Sequence, residues 1–228
     1  MIRAALSLCL GLYATLTAGG GIVVVQKVQS DNESKEMTVK IQGDRIRFDI
    51  TPAISVIRDV QSGELVTLMH ERKGYLRVSS EAAAALRQRV ASQVPPSATP
   101  SAAPRGKLQP TGRKEKISGF DTEEYIYISG GRRMDLWIAR DFPQWSVVME
   151  QMSKLQNTGL DPLVQNLSPD PKELPGMPIR TETEMSGRKV ILTVISGKEL
   201  TLDEKEFQPP TDYKALPQPG FGDDSDEP

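Results

Sequence analysis

A chain of 228 residues with 28 basic and 30 acidic side chains has room for one domain and carries a formal net charge of −2. That charge gives no field to attract a nucleic-acid backbone. Aromatic residues make up only 5% of the chain, so platforms for base stacking are also disfavoured, and we expect no nucleic-acid partner.

The first eighteen residues have the layout of a secretory signal. Arg3 supplies the positive end, residues 4–16 form an uncharged apolar run, and Ala18 precedes three glycines. The run is too short for a permanent membrane span, so we expect cleavage after Ala18, export, and no transmembrane anchor after cleavage. Cleavage would also remove Cys9, the only cysteine, and with it disulfide and thiolate chemistry. The alternative is that this run forms a first buried helix or strand.

Short alternating runs dominate from Ile22 onward. Residues 37–42 and 46–50 alternate apolar and polar side chains on either side of Gly43-Asp44, which predicts a β-hairpin with one solvated face. Similar runs return at 54–60, 65–69 and 75–78. Parallel strands would need long crossovers, so these runs predict an antiparallel meander.

A helix is predicted to follow, with Ser80 as its N-cap and with Leu86, Val90 and Val94 on one face. Pro95-Pro96 would end this helix. Residues 95–113 are then rich in proline, serine, alanine and glycine and have almost nothing to bury, so they predict a disordered insert.

The strand pattern resumes in the second half, at residues 125–128, 134–139, 179–185 and 189–195. Between these runs, Asp141 is predicted to cap a helix that has Pro143 near its first position. Neither half has enough strands for a core of its own. We therefore predict one α+β, mainly antiparallel domain over residues 19–216, with a single sheet built from both halves. Residues 217–228 have the acidic composition of a disordered tail.

Catalytic chemistry finds little support in the sequence. His70 is the only histidine and lies in a charged stretch, which favours a solvent-facing turn residue over a catalytic base. Glu123 and Glu124 are neighbours in a predicted strand, so their carboxylates point to opposite faces, and Asp141 is explained as a helix cap. We predict no catalytic residues, no metal site and no cofactor. A hydrolase that uses Glu124, Asp141 or His70 is the least favoured class.

The helix predicted after Asp141 gives a hint of binding. Its apolar positions recur at helical spacing: Trp145, Val148, Met149, Met152 and Leu155. Methionine recurs on adaptable binding surfaces, although the simpler interpretation is that this face packs on the sheet. A helix that closes the core and lines a cavity would do both. The residues that we predict to lie at or near a ligand cavity are Phe48, Trp137, Trp145, Met149 and Met152.

Four segments of the chain occur in a characteristic order. They are Ile117-Ser118-Gly119-Phe120 before Glu124-Tyr125, the strand Leu136-Trp137-Ile138-Ala139, Gly176-Met177-Pro178 before a long hairpin, and Phe207-x-x-Pro210-x-x-Tyr213. As an ordered set they resemble a family of exported bacterial proteins, the domain-of-unknown-function family 4412. The resemblance covers residues 22–216 apart from the insert.

That family is similar to periplasmic lipoprotein carriers of the LolA and LolB kind. The resemblance implies a strongly curved antiparallel half-barrel of about 9–11 strands, with two helices against a concave face that receives acyl chains. It implies no catalytic residues and a periplasmic or secreted protein. We therefore expect a binding or carrier module for a lipid or another apolar ligand in the bacterial cell envelope. An envelope protein-interaction or sensor module is the alternative, and the ligand, the partner and the oligomeric state stay open.

Overall fold

The computed structural model describes residues 20–31, 33–85, 106–157, 168–185 and 187–217. The predicted signal, the part of the insert before residue 106 and the tail beyond residue 217 lie outside the described residues. So do Leu86, Val90 and Val94 of the first predicted helix and the side chain of Leu155.

In the described part of the chain, twelve strands form one sheet. They are β1 (Gly21–Ser30), β2 (Glu33–Gln42), β3 (Arg45–Thr51), β4 (Ile54–Asp59), β5 (Leu65–Met69), β6 (Gly74–Val78), β7 (Leu108–Ile117), β8 (Phe120–Ser129), β9 (Arg132–Ala139), β10 (Met177–Met185), β11 (Arg188–Leu200) and β12 (Lys214–Ala215). Helix α1 is described over residues 80–85, and helix α2 spans Trp145–Asn157. Short 3-10 turns lie at His70–Arg72, Pro171–Glu173 and Glu204–Phe207.

The order across the sheet is β12-β6-β5-β4-β3-β2-β1-β11-β10-β9-β8-β7. Two antiparallel meanders, β1 to β6 and β7 to β11, therefore join where β1 pairs with β11. The described pairings are antiparallel apart from the short parallel pair of β12 with β6. The sheet is curved and does not close, which confirms the predicted α+β class and the sheet built from both halves. Twelve strands slightly exceed the expected number.

The end of the predicted insert belongs to the sheet. β7 begins at Leu108, so residues 108–113 form part of a strand rather than the disordered segment that their composition predicted. Pro110 is tolerated because β7 lies at the edge of the sheet, where one row of backbone groups needs no partner. The ladder with β8 is irregular between Pro110 and Lys114.

Both helices begin at other residues than predicted. Ser79 caps α1, since its Oγ accepts the backbone N–H of Ala82 at 3.2 Å, so the prediction of Ser80 as the cap was wrong by one residue. α2 begins only at Trp145. The carbonyl of Gln144, a residue with φ 48°, accepts the first helical bond from Val148 at 3.2 Å. Asp141 therefore does not cap this helix.

Alternation along the strands gives the sheet two different faces. The face that carries α2, called the helix face below, contains the most deeply buried side chains of the first strands: Ile22, Val24, Val39, Ile41 and Ile46, each at most 2% exposed. They form one core with Val148 and Met149 of α2. Phe142, just before the helix, covers Gly197 of β11 so closely that a Cβ added there would lie 2.1 Å from its Cζ.

The opposite face of β1 to β6 is crossed by the C-terminal segment, residues 201–216, called the strap below. Its apolar side chains form a second core with strands β4 and β5, made up of Ile57, Val66, Leu68, Leu202 and Phe207. The strap ends as β12, where the N–H of Leu216 donates to the carbonyl of Tyr75 at 2.8 Å. The Phe207-x-x-Pro210-x-x-Tyr213 segment is thus the part of the strap that packs on the sheet.

Candidate functional site

A row of cross-strand neighbours on the helix face leads outward from the core. In register order it consists of Val24, Val39, Phe48, Val56, Thr67 and Leu76. Val39 is 2% exposed, whereas the members from β3 to β6 are only half-buried, and Ile54 on the same face of β4 is 41% exposed. The apolar surface therefore continues beyond the fully buried core toward the β6 side of the sheet.

All five residues predicted to line a cavity belong to this core or pack against it, Trp137 from the opposite face of the sheet. Met149 is buried within it, and Phe48, Trp145 and Met152 are partly buried side chains packed against it. Contact of any of them with a ligand stays a prediction.

Trp137 lies on the other face of the sheet. It is the cross-strand neighbour of Glu124 on β8 and of Arg180 on β10, and the guanidinium carbons of Arg113 and Arg180 lie 5.3 and 4.7 Å from the centre of its ring. Guanidinium groups at these distances are attracted by the negative face of an indole. Since the side chain is only 3% exposed, Trp137 is a buried ring that packs against two arginine side chains.

The two neighbouring glutamates of β8 have separate environments, as the alternation predicted. Glu124 is 4% exposed and accepts hydrogen bonds from Thr111 Oγ1 at 2.7 Å and from Arg113 at 3.1 Å. Glu123 accepts the hydroxyl of Tyr125 at 3.1 Å on the opposite face. The carboxylates do not converge, and the buried one is already satisfied by its own neighbours.

His70 is not the solvent-facing turn residue that its charged surroundings predicted. Its ring is half-buried, with Nε2 2.7 Å from Ser55 Oγ and Nδ1 2.7 Å from the hydroxyl of Tyr213 in the strap. Ser55 Oγ also donates to Asp49 Oδ1 at 2.6 Å. A hydroxyl has one hydrogen, so Ser55 accepts from His70 Nε2, and in the neutral tautomer that this requires Nδ1 would accept from the hydroxyl of Tyr213. Ser55 is 1% exposed, and the chain of bonds fastens the strap rather than activating a nucleophile.

Charged side chains complete this attachment of the strap. Arg47 donates to Asp49 Oδ1 at 2.7 Å and to the carbonyl of Glu206 at 2.8 Å, and Lys40 pairs with the Glu206 carboxylate. Burial alone would raise the pKa of Asp49. The hydrogen bonds from Ser55 and Arg47 and the charges of Arg47 and Lys40 outweigh it, so this pKa lies below its ordinary value of 3.8.

Sequence reasoning missed a buried arginine on the helix face. Arg58 is 5% exposed and lies in register between Ile46 and Leu65, in an otherwise apolar row. A charge at such a position must be paired, because burial of an unpaired ion is too costly. The alternation of Ile54, Val56 and Arg58 along β4 was the signal that could have placed it on this face.

Two open cavities lie away from α2. The first, with a volume of about 540 Å³, lies between the strap and strands β3 to β6, and Arg45, Tyr75 and Phe207 are among its lining residues. The second, of about 610 Å³, lies at the tips of the β8–β9 and β10–β11 hairpins, among charged side chains that include Arg133 and Lys189. The first was not predictable from strand periodicity, because the strap that forms one wall has no periodic pattern.

The described residues contain no group of three or more His, Cys, Asp or Glu side chains that could hold a metal ion. Within the same residues, no helix combines the length and the hydropathy needed to cross a bilayer.

The sequence matches the profile of a known family, "Domain of unknown function (DUF4412)", over residues 20–213, which is most of the chain. No curated protein matches the sequence.

Several solved structures align with this chain at very low sequence identity and with TM-scores below 0.5. A structure of PNGF-II is 10% identical with a TM-score of 0.37, and the match covers 82% of this chain and 29% of that one. MucB in the Pseudomonas aeruginosa MucA/MucB complex is 8% identical with a TM-score of 0.45, covering 87% and 59%. A DUF1329 family protein from Desulfovibrio piger is 11% identical with a TM-score of 0.31, covering 84% and 90%. The chain thus spans under a third of PNGF-II and under two thirds of the MucB structure.

Proposed function

The chain belongs to the DUF4412 family, and from this membership and the geometry of its helix face we propose that it is an exported binding module for a lipid or another apolar ligand in the bacterial cell envelope. The proposed site is the region where α2 meets the outer part of the helix face. No catalytic step is part of the proposal.

The observation that carries this proposal is the continuation of the apolar row beyond the buried core. Phe48, Val56 and Leu76 are cross-strand neighbours of a row whose inner members are fully buried, yet they are only half-buried themselves. An exposed extension of a core is typical of a surface that binds something apolar. An acyl chain lying along it would contact Phe48 at one end, and the half-buried Trp145 and Met152 pack against the same core.

The alternative is an envelope protein-interaction or sensor module, and the free edge of the sheet favours it. Strand β7 is ten residues long and pairs only with β8 among the described strands, so its outer edge could accept a strand from a partner. Against this, Pro110, Arg113 and Lys114 lie on the edge strand, and proline and positive charges are the usual protection of an edge against pairing. The apolar row is therefore the stronger basis.

Native mass spectrometry of the exported, purified chain tests the proposal, followed by solvent extraction of what it carries. We expect a co-purifying lipid or fatty acid that is lost in Val56→Glu, which places a charge within the row. Ile126→Glu is the matched control, because Ile126 is a half-buried aliphatic residue of β8 on the opposite face.

A clean apo mass that gains no lipid on addition of phospholipid or fatty acid would overturn the proposal and direct the search to protein partners. Equal retention of lipid by Val56→Glu and Ile126→Glu would place the ligand elsewhere on the sheet. Trp145 supplies a second readout in a Trp137→Phe background, where it is the only tryptophan. Its emission should shift to shorter wavelength when the ligand excludes water from its ring.

A further inference from the structure

The cavity under the strap has the features of a small-molecule site on the face opposite to α2. Its volume of about 540 Å³ falls in the range typical of ligand pockets, roughly 300–1,000 Å³. Aromatic and proline side chains line it from both sides: Tyr75 from the sheet, and Phe207, Pro210 and Tyr213 from the strap. The cavity is open and charged side chains form much of its remaining lining, so these rings offer contacts to the apolar body of a ligand on two sides of a largely polar site.

The cavity also contains a cation with unused hydrogen-bond donors. Arg45 is half-buried and lines the cavity, yet its side chain makes no hydrogen bond or ion pair with any described residue. Arg77, the other arginine of the lining, is held by Glu64 through two hydrogen bonds of 2.8 and 2.9 Å. A guanidinium presents two parallel N–H groups that match a carboxylate, so Arg45 supplies the polar contact that would orient a ligand.

The acidic residues of the cavity limit the charge of that ligand. Asp59 is the cross-strand neighbour of Arg45, but its Oδ1 accepts the backbone N–H of Ser62 at 2.7 Å and the two side chains are not ion paired. Glu64 is already committed to Arg77. Both carboxylates would repel a doubly charged phosphate more strongly than a monoanion.

We propose that this cavity binds an organic monocarboxylate with an apolar or aromatic body, with its carboxylate on Arg45 and its body between Tyr75 and the strap. The site is independent of the lipid site proposed on the helix face, because it is built from the opposite face and from the strap. Either one can therefore fail without the other.

Isothermal titration calorimetry of the full exported chain tests this assignment with N-acetyl-L-phenylalanine and its neutral amide, which differ only in the carboxylate. Octanoate and octanamide form a second arm, which distinguishes a free aliphatic acid from a peptide-like carboxyl terminus. We expect at least one acid to bind about tenfold more tightly than its amide, the factor that one charge-assisted hydrogen bond typically supplies.

Three variants locate the contact. Arg45→Met should remove the preference for the acid, Arg45→Lys should keep part of it, and Asp59→Asn should tighten binding of the acid severalfold because a competing charge is gone. Arg132→Met, at the far β8–β9 turn, is the control and should bind like the parent.

Equal binding of acid and amide, or an unchanged preference in Arg45→Met, would overturn the proposal. If Arg45→Met does not fold, the response of Asp59→Asn decides, since no tightening there would also overturn it.

Discussion

The contact of Gly197 with Phe142 shows how a single missing side chain shapes the helix face. A Cβ on residue 197 would lie 2.1 Å from Cζ of Phe142, far inside van der Waals contact, and the obstacle is a buried ring at 2% exposure. Gly197→Ala should therefore destabilise the protein by about 1–3 kcal/mol, the usual cost of overpacking a core. Urea denaturation followed by far-ultraviolet circular dichroism measures this.

Gly20→Ala is the matched control for that substitution, because the nearest atom to an added Cβ there lies 4.0 Å away. The free energy of unfolding of Gly20→Ala should stay within about 0.5 kcal/mol of that of the parent. Combining Gly197→Ala with Phe142→Leu should recover part of the loss, since the smaller side chain can yield. Equal stability of Gly197→Ala and the parent would show that Phe142 does not pack on β11 in this way.

The carboxylate of Asp49 gives the strap attachment a dependence on pH. Its folded pKa lies below the ordinary 3.8, so its contribution to stability is present above that value and is lost as the pH falls through the folded pKa. Asp49→Asn should cost about 1–3 kcal/mol at pH 7, because a charged acceptor of two hydrogen bonds is lost. The difference from the parent should shrink below about pH 4. Urea denaturation of both proteins at a series of pH values measures this difference. Asp121→Asn, at an exposed carboxylate, is the control and should differ little from the parent at any pH.

At the scale of elements, the strap stabilises one half of the sheet through a few side chains. Phe207 is 6% exposed and packs on Ile57, Val66 and Leu68. Phe207→Ala should cost about 3–5 kcal/mol, as expected for the loss of a buried aromatic ring. Because the contacts are local, hydrogen exchange should accelerate in β4 to β6 more than in β8 and β9.

The residue just before the strap provides the comparison for that variant. Leu200 is 48% exposed, so Leu200→Ala should leave both stability and exchange close to those of the parent. Uniform acceleration of exchange throughout the sheet in Phe207→Ala would show that the strap and the sheet unfold as one unit, contrary to this expectation.

Strand identity was predictable from the sequence to a larger extent than the ends of helices. Alternation located most strands because one face of each is covered, and this signal depends only on burial. Caps depend instead on the conformation of one residue: Gln144 adopts a positive φ and starts α2, although Asp141 has the more typical capping side chain. The residues of β7 are mostly exposed, so their strand had no apolar alternation to reveal it.

For the molecule as a whole, the sequence predicted one sheet but could not predict which strands join its two halves. Alternation assigns side chains to the two faces of a strand, but it does not say which strands are neighbours. The pairing of β1 with β11 therefore could not be predicted from it. Apolar periodicity likewise did not show that Trp137 would lie beside Arg180, which follows from the strand register. The strap was missed as a covering element because its residues follow no period.

The pairing of β1 with β11 predicts that the two meanders can assemble from separate chains. Residues 20–85 contain β1 to β6, and residues 106–217 contain the other strands, α2 and the strap. The first fragment would expose both Val39 on the helix face and Leu68 on the strap face, which α2 and the strap otherwise cover. Because each half leaves such apolar surface unburied, we expect neither fragment to fold alone and the two to co-purify when co-expressed.

Val24 lies in β1 at its pairing with β11. Its cross-strand neighbours are Val39 on β2 and Gly197 on β11, and its side chain is 1% exposed. Val24→Asp should abolish co-purification, since a buried unpaired charge would oppose assembly. Lys27→Asp, at a half-buried position of the same strand, is the control and should leave assembly intact. Independent folding of either fragment would show that one meander has a sufficient core of its own. The sheet would then behave as two domains that share an edge, rather than as one domain built from both halves of the chain.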